Sequence, residues 1–257
     1  MSEFDLLYIC TDNNATSRAG LENLHKAGFS CLVIAYELPH LRYDPKQPEE
    51  LYCKPLPHRK RWLKDQSSTV YCHAQGIPYF LTHETDLDSL LPLLRALQFD
   101  YVLINEWSAK LSMDIARLAK IEAMNCHPSF LPEYRGGNIT YAPLINGETD
   151  SGLTVHVLTE KFDAGKILAR RRFPIAKNET TVGLTFKRSL YVGDVLLEAL
   201  EKAGRPSEYL ENPESPFWYR QSRRSYVAYR VINWLRRIIG LRGLRRSAEA
   251  ARWLDRL

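Results

Sequence analysis

The chain has 257 residues, 45% apolar and 25% charged, the makeup of an ordinary globular protein rather than a fibrous or disordered one. Its net charge of +5 is uneven: residues 217–257 hold eleven arginines against Glu249 and Asp255, a net +9, which leaves −4 for residues 1–216. Five scattered cysteines without a Cys-x-x-Cys pair argue against a disulfide framework or structural zinc. With no secretory signal and no apolar run of membrane-helix length, the expectation is a cytoplasmic, metal-free protein with free thiols.

Short apolar runs alternate with helical patterns through the first half. Residues 6–10 read as a strand, 18–27 as a helix and 30–35 as a second strand. Residues 40–66, which include the basic run 58–64, read as an excursion from the sheet. A strand over 78–82, a helix over 87–97, a strand over 101–105, a short helix over 112–119 and a strand over 123–127 follow. This alternation implies an α/β fold, with a Rossmann-like parallel sheet whose ligands gather beyond the strands' carboxyl ends. Further on, a short helix over 137–146 precedes strands over 154–158 and 166–175, which suit a hairpin around Asp163. A long helix over 181–202 ends at Gly204, and the three prolines within 205–216 mark a linker. The domain reading is a catalytic unit over 1–204, then a linker and a basic helical extension over 205–257.

The chemistry concentrates in Asn125-Cys126-His127-Pro128, where an apolar strand gives way to a loop ending in Tyr134-Arg135-Gly136-Gly137. Residues i and i+2 of a strand share a face, so Asn125 and His127 reach together into one pocket while Cys126 points into the core. Phe162-Asp163-Ala164-Gly165 supplies an isolated carboxylate. An amide, an imidazole and a carboxylate are the groups that acyl transfer to an amine requires. Taken alone, Asn125 and His127 would also suit a loop entrance that merely satisfies backbone groups.

The motif Asn125-x-His127-Pro128-Ser129-x-Leu131-Pro132-x-Tyr134-Arg135-Gly136, with Phe162-Asp163-Ala164-Gly165 downstream, resembles the folate-dependent formyltransferases. That family includes glycinamide ribonucleotide, methionyl-tRNA and nucleotide-linked amino-sugar N-formyltransferases, and the last are the best match. The resemblance covers residues 101–187 well, the first hundred in general pattern and the tail not at all. It implies 10-formyltetrahydrofolate as the formyl donor and a direct transfer with no covalent enzyme intermediate. Asn125 would donate its amide N–H to the formyl oxygen, His127 would stabilise the same oxyanion or move the amine's proton, and Asp163 would orient His127. One wall of the folate site would come from Trp107, Ser108, Ala109, Lys110 and Leu111, the other from Leu158, Thr159 and Phe162. Arg135, Gly136 and Asn138 would face the substrate, although Arg135 equally suits bracing the loop.

The turn after the first strand separates family members. Glycinamide ribonucleotide enzymes resemble one another in a glycine-serine-asparagine turn that cradles a phosphate; here Thr11-Asp12-Asn13-Asn14 has no glycine and an acid, which speaks against that acceptor. The tail after Gly204 is short and helical for the β-barrel that methionyl-tRNA enzymes append. The expected acceptor is therefore an amino sugar on a nucleotide. Transfer to another amine (hydroxyornithine or glycinamide ribonucleotide), hydrolysis of the formyl-folate and a non-catalytic folate or nucleotide-sugar sensor are the alternatives. The basic tail suits packing on the catalytic domain or a homodimer partner, then peripheral contact with an anionic membrane surface, and least of all nucleic acid.

Overall fold

Seven strands form one sheet, and their apolar residues divide between its faces by parity. The computed structural model describes residues 3–37, 66–107, 109–137, 139–176, 179–215, 217–218 and 231. The basic run 58–64, Ser108, Asn138 and the arginine-rich tail, apart from Phe217, Trp218 and Val231, lie outside the described residues. Strands β1 (Phe4–Thr11), β2 (Cys31–Tyr36), β3 (Tyr79–Thr82), β4 (Phe99–Asn105) and β5 (Ala119–His127) pair in parallel in the order β3-β2-β1-β4-β5. The hairpin β7 (Asp150–Val157) and β8 (Ile167–Pro174) extends the sheet antiparallel from β5. The sheet is thus parallel through β5 and mixed as a whole. A separate two-residue strand, β6 (Arg135–Gly136), pairs with β9 (Phe217–Trp218).

On one face, Leu6, Tyr8, Val33, Leu103, Met124 and Cys126 pack under α1 (Ala15–Lys26) and the 22-residue α6 (Thr181–Lys202). On the other, Leu7, Ile9, Ile34, Val102 and Ile104 meet Leu91 and Leu94 of α3 (Leu91–Leu94) and Ile115 of α4 (Met113–Ala116). Period-two alternation therefore builds two cores from one set of strands. Helix α6 matches the bounds its apolar spacing predicts: Leu184, Val192, Val195, Leu196 and Ala199 are buried, and the Thr180 hydroxyl accepts from the Gly183 N–H at 3.0 Å to cap its start.

Some elements differ from expectation. The helix predicted over 87–97 is a 3₁₀ turn (Asp88–Leu90) running into the single turn α3, because N–H groups of Ala96 and Leu97 bond three residues back and turn the chain into β4. Helix α2 (Ser68–Gln75) precedes β3 and closes on Gly76 in the left-handed conformation. The predicted helix over 137–146 is a 3₁₀ turn (Ile139–Tyr141) and the short α5 (Ala142–Asn146). Residues 205–215, within the stretch read as a linker, carry a 3₁₀ turn (Pro206–Glu208), and Leu210 exchanges backbone hydrogen bonds with Ile167 at 2.9 and 2.8 Å. Among the described residues no helix is long and apolar enough to cross a membrane.

Candidate active site

Strand β5 ends at the pocket with Met124 and Cys126 in the core under α1 and α6, so Asn125 and His127 face the opposite side. Burial pushes the Cys126 thiol far above its usual pKa, consistent with a core side chain rather than a nucleophile. Strand β7 lies antiparallel to β5 with His156 opposite Asn125 and Thr154 opposite His127, and directly opposed residues share a face. The β7–β8 turn then returns Asp163 to the same place.

Four side chains converge. Asp163 Oδ1 lies 3.4 Å from His127 Nδ1, 3.4 Å from His156 Nε2 and 3.4 Å from Asn125 Nδ2. Its Oδ2 accepts from the Gly136 backbone N–H at 2.8 Å. His127 Nε2 meets the Tyr134 carbonyl at 2.9 Å, and His156 Nδ1 meets the Val157 carbonyl at 2.9 Å. His156 Nε2 lies between two groups, 3.1 Å from Asn125 Nδ2 and 3.4 Å from Asp163 Oδ1, and accepts from the amide or donates to the carboxylate according to where the ring carries its proton. The Asn125 amide nitrogen is thus flanked by the His156 ring and the Asp163 carboxylate. Donation to a formyl oxygen, the role the family resemblance implies, requires one of these contacts to be exchanged for the substrate. Asn125 is half-buried, whereas His127, His156 and Asp163 are buried.

The electrostatics are set by burial and neighbours. Burial alone would raise the Asp163 pKa, yet the His127 and His156 imidazoles and the Gly136 N–H hold it well below the usual carboxylate range. Burial is the strongest influence on His127 and lowers its pKa from 6.5, opposed by Asp163 and by the Tyr134 carbonyl. At neutral pH the site holds an anion beside a neutral imidazole with an acceptor at each nitrogen, an arrangement that can take up a proton and stabilise it.

The loop after β5 is pinned from several sides. Thr154 Oγ1 accepts from the Leu131 N–H at 2.9 Å and donates to the Ser129 carbonyl at 2.8 Å. Tyr134 adopts a positive φ of 57° and Gly136 one of 106°, which turn the chain so that the Gly136 N–H faces Asp163. Arg135, expected at the substrate, is buried and donates Nη2 to the Phe162 carbonyl at 2.8 Å, so it braces the two site loops against each other. The loop after β4 is fixed by Glu106, at φ 58°, whose carboxylate pairs at 3.1 Å with the fully buried Arg188 of α6.

The residues expected at the folate divide into two groups. Ala109, Lys110 and Leu111 line a cavity of about 400 Å³, closed opposite by Thr85–Asp88 and by Glu160 of the β7–β8 turn. Trp107 packs edge-on against Tyr36 with ring centroids 5.6 Å apart, and its buried Nε1 has no hydrogen-bond partner among the described residues. Leu158 packs on the core, the Thr159 hydroxyl donates to the Lys161 carbonyl at 2.9 Å, and Phe162 is 47% exposed.

Sequence reasoning missed His156, and it read Asp12 only as an acid in the turn after the first strand, not as a helix cap. The signal for His156 is the polar pair Thr154 and His156, spaced like Asn125 and His127 on a neighbouring strand. Asp12 is buried at the amino end of α2, accepting from the N–H groups of Ser68 at 2.7 Å and Thr69 at 3.1 Å and from the hydroxyls of Ser67 and Thr69. The Asn14 side chain likewise caps α1 through Thr16 and Ser17. Both helix ends beside the first strand's loop are satisfied by the chain's own acceptors.

The family described as formyl transferase matches residues 56–200. A methionyl-tRNA formyltransferase of Lactiplantibacillus plantarum is 37% identical over 129 residues, 50% of this chain and 41% of that protein. One from Listeria innocua is 29% identical over 205 residues, 79% of this chain and 62% of that protein. The chain therefore spans roughly half the length of these relatives. Among solved structures, an N-formyltransferase from Helicobacter canadensis, in complex with folinic acid and dTDP-3-aminofucose, superposes with a TM-score of 0.58 at 20% identity, covering 85% of this chain and 71% of that one. The phosphoribosylglycinamide formyltransferase of Anaplasma phagocytophilum does so with a TM-score of 0.58 at 17% identity, covering 86% and 99%. At these identities the superpositions establish the fold.

Proposed function

The chain belongs to the formyl transferase family, and on that premise we propose that it transfers a formyl group from 10-formyltetrahydrofolate to a primary amine carried on a nucleotide-linked sugar. The single observation that carries the reaction is the convergence of Asn125, His127 and His156 on one buried, ionised Asp163. The formyl donor, when bound, would supply the formyl carbon: the new bond to the amine nitrogen forms as the donor's C–N bond breaks, and the departing nitrogen takes up the proton that His127 removes from the amine. Asn125, at the open side of the cluster, donates to the formyl oxygen as that oxygen gains charge. His127 receives the amine's proton and, once charged, donates to Asp163 and to the Tyr134 carbonyl together. Asp163 stays an anion throughout and keeps the imidazolium in register. An amine is a competent nucleophile, so no enzyme nucleophile is needed.

For the folate, the support is the cavity of about 400 Å³ lined by Thr85–Asp88, Ala109–Met113 and Glu160, whose lining does not reach Trp107 or the Asn125 cluster. The buried Trp107 Nε1, without a hydrogen-bond partner among the described residues, is a donor that a pterin carbonyl or ring nitrogen could satisfy. For the acceptor, the support is Asp12: a carboxylate in the turn after β1, held there by N–H groups at the amino end of α2, disfavours a ribosyl phosphate in that turn. The identity to methionyl-tRNA formyltransferases favours a second reading, in which the amine belongs to an aminoacyl-tRNA.

Incubation with 10-formyltetrahydrofolate and a panel of amines separates these readings. The panel holds nucleotide-linked amino sugars, methionyl-tRNA, glycinamide ribonucleotide and hydroxyornithine. Tetrahydrofolate release that depends on an amino-sugar nucleotide supports the proposal. Release with methionyl-tRNA alone supports the second reading, and release without any amine makes the protein a hydrolase.

A further inference from the structure

The segment after α6 runs across the site loops in a fixed order. The Tyr209 hydroxyl donates to Glu122 of β5 at 2.7 Å, and Leu210 bridges Ile167 at the start of β8. The Asn212 amide then spends both hydrogens on the site turn, donating to the carbonyls of Asp163 and Gly165 at 2.9 Å each. The Ser215 hydroxyl donates to the Pro132 carbonyl, and β9 pairs alongside β6, bringing Phe217 beside Arg135 and Trp218 beside Gly136. Two of these anchors bracket one contact. Asn212 holds the backbone of Asp163, β9 holds the backbone of Gly136, and the Gly136 N–H donates to the Asp163 carboxylate at 2.8 Å.

The turn needs such a support. Asp163 adopts a positive φ of 49°, a conformation that a residue with a side chain keeps only when its surroundings hold it. A planar amide with two hydrogens bridging carbonyls two residues apart fixes the direction of both peptide units, and so the direction in which the Asp163 side chain leaves the chain.

We propose that residues 209–215 with β9 form a positioning strap for the formyl-transfer site, and that Asn212 is a positioning residue that sets the Asp163 carboxylate through its backbone. This rests on the reading under Proposed function for the reaction itself, and on the geometry alone for the strap. A segment outside the paired motifs thereby becomes part of what makes the site competent.

The full-length chain tests it through Asn212→Leu, which removes both donors at similar volume, and Asn212→Asp, which replaces them with acceptors. Imidazole nitrogen resonances of His127 are read by NMR, and steady-state constants with 10-formyltetrahydrofolate and the acceptor found in the amine panel are measured alongside. Both variants should move the His127 resonances and lower kcat about tenfold or more, with KM for the folate changed less than about threefold. In an Asp163→Asn background, Asn212→Leu should cost less than about twofold more, because the two residues act through one group. Lys26→Gln, at a 68% exposed side chain on α1 and outside the strap, should leave kcat and the His127 resonances unchanged. Unmoved His127 resonances in both variants overturn the strap, as does a full additive loss on top of Asp163→Asn. If the wild-type chain transfers formyl to no amine, the reaction assignment fails while the NMR comparison still decides the strap.

Discussion

His127 has an acceptor at each ring nitrogen, the Tyr134 carbonyl and the Asp163 carboxylate, and a neutral imidazole can satisfy only one. Burial nevertheless keeps the ring's pKa below 6.5. The sign of its effect on stability follows. The unfolded chain binds a proton near pH 6.5 while the folded ring resists it, so the contribution is complete above about 6.5 and is lost as pH falls. Asp163 acts lower: its depressed pKa gives stability that is present above about 4 and lost as pH drops further. Urea unfolding should show stability falling between pH 7.5 and 5.5, and His127→Asn should flatten that limb while leaving the limb below pH 4 in place. Asp163→Asn should flatten the lower limb. In kinetics, Asn125→Ala should lower kcat by about 10²–10³ if its N–H meets the oxyanion, and His127→Ala by about 10²–10⁴ if it carries the proton. A fall of less than about tenfold for either, measured by tetrahydrofolate release, removes that residue from the reaction. At this scale, Asn125 and His127 were readable because strand parity is a local property. His156 was not, because its place opposite Asn125 depends on the register between β5 and β7, which local sequence does not specify.

The β7–β8 hairpin makes its close return on one residue. A Cβ at Gly165 would sit 1.8 Å from the Val157 carbonyl oxygen, and since the obstacle is backbone, no rotamer change relieves it. Gly165→Ala should therefore cost about 2–4 kcal/mol in urea unfolding and displace Asp163, two residues away, so that activity falls further than stability. At Gly137, nothing lies within 4 Å of the corresponding position, and Gly137→Ala should stay within about 1 kcal/mol of wild type. Equal costs at the two glycines would deny the hairpin this role. Element by element, the strongly periodic α6 was readable at its full bounds and the second hairpin strand nearly so, while β7 begins at Asp150, four residues before the alternation over 154–158 marks it. The helix expected over 87–97 shows the limit. Leu87, Leu91 and Leu94 do face the core at helical spacing, but the chain must turn within four residues to enter β4, and the tighter 3₁₀ bonding prevails.

For the molecule as a whole, alternating strands and helices told of a parallel sheet but not of its order. The order β3-β2-β1-β4-β5 sends the chain to opposite sides of β1, and the crevice beyond β1 and β4 lies at that change of direction. The loop carrying Trp107 to Leu111 leaves β4 there, and the hairpin brings Leu158 to Asp163 to face it. Neither wall's position follows from local sequence, since each depends on which strands become neighbours. If these walls hold the folate, then 5-formyltetrahydrofolate binds the folded chain and not the unfolded one. At a hundredfold excess over its Kd such a ligand adds about 2.7 kcal/mol. For a chain of this length each kcal/mol raises Tm by about 2–4 °C, so the expected rise is about 5–10 °C. His127→Ala should keep the rise, because that imidazole handles the proton and is no wall of the slot. Ala109→Trp, which fills the cavity from its lining, should abolish it at unchanged starting Tm. A rise that survives Ala109→Trp would put the formyl donor somewhere other than between these two loops.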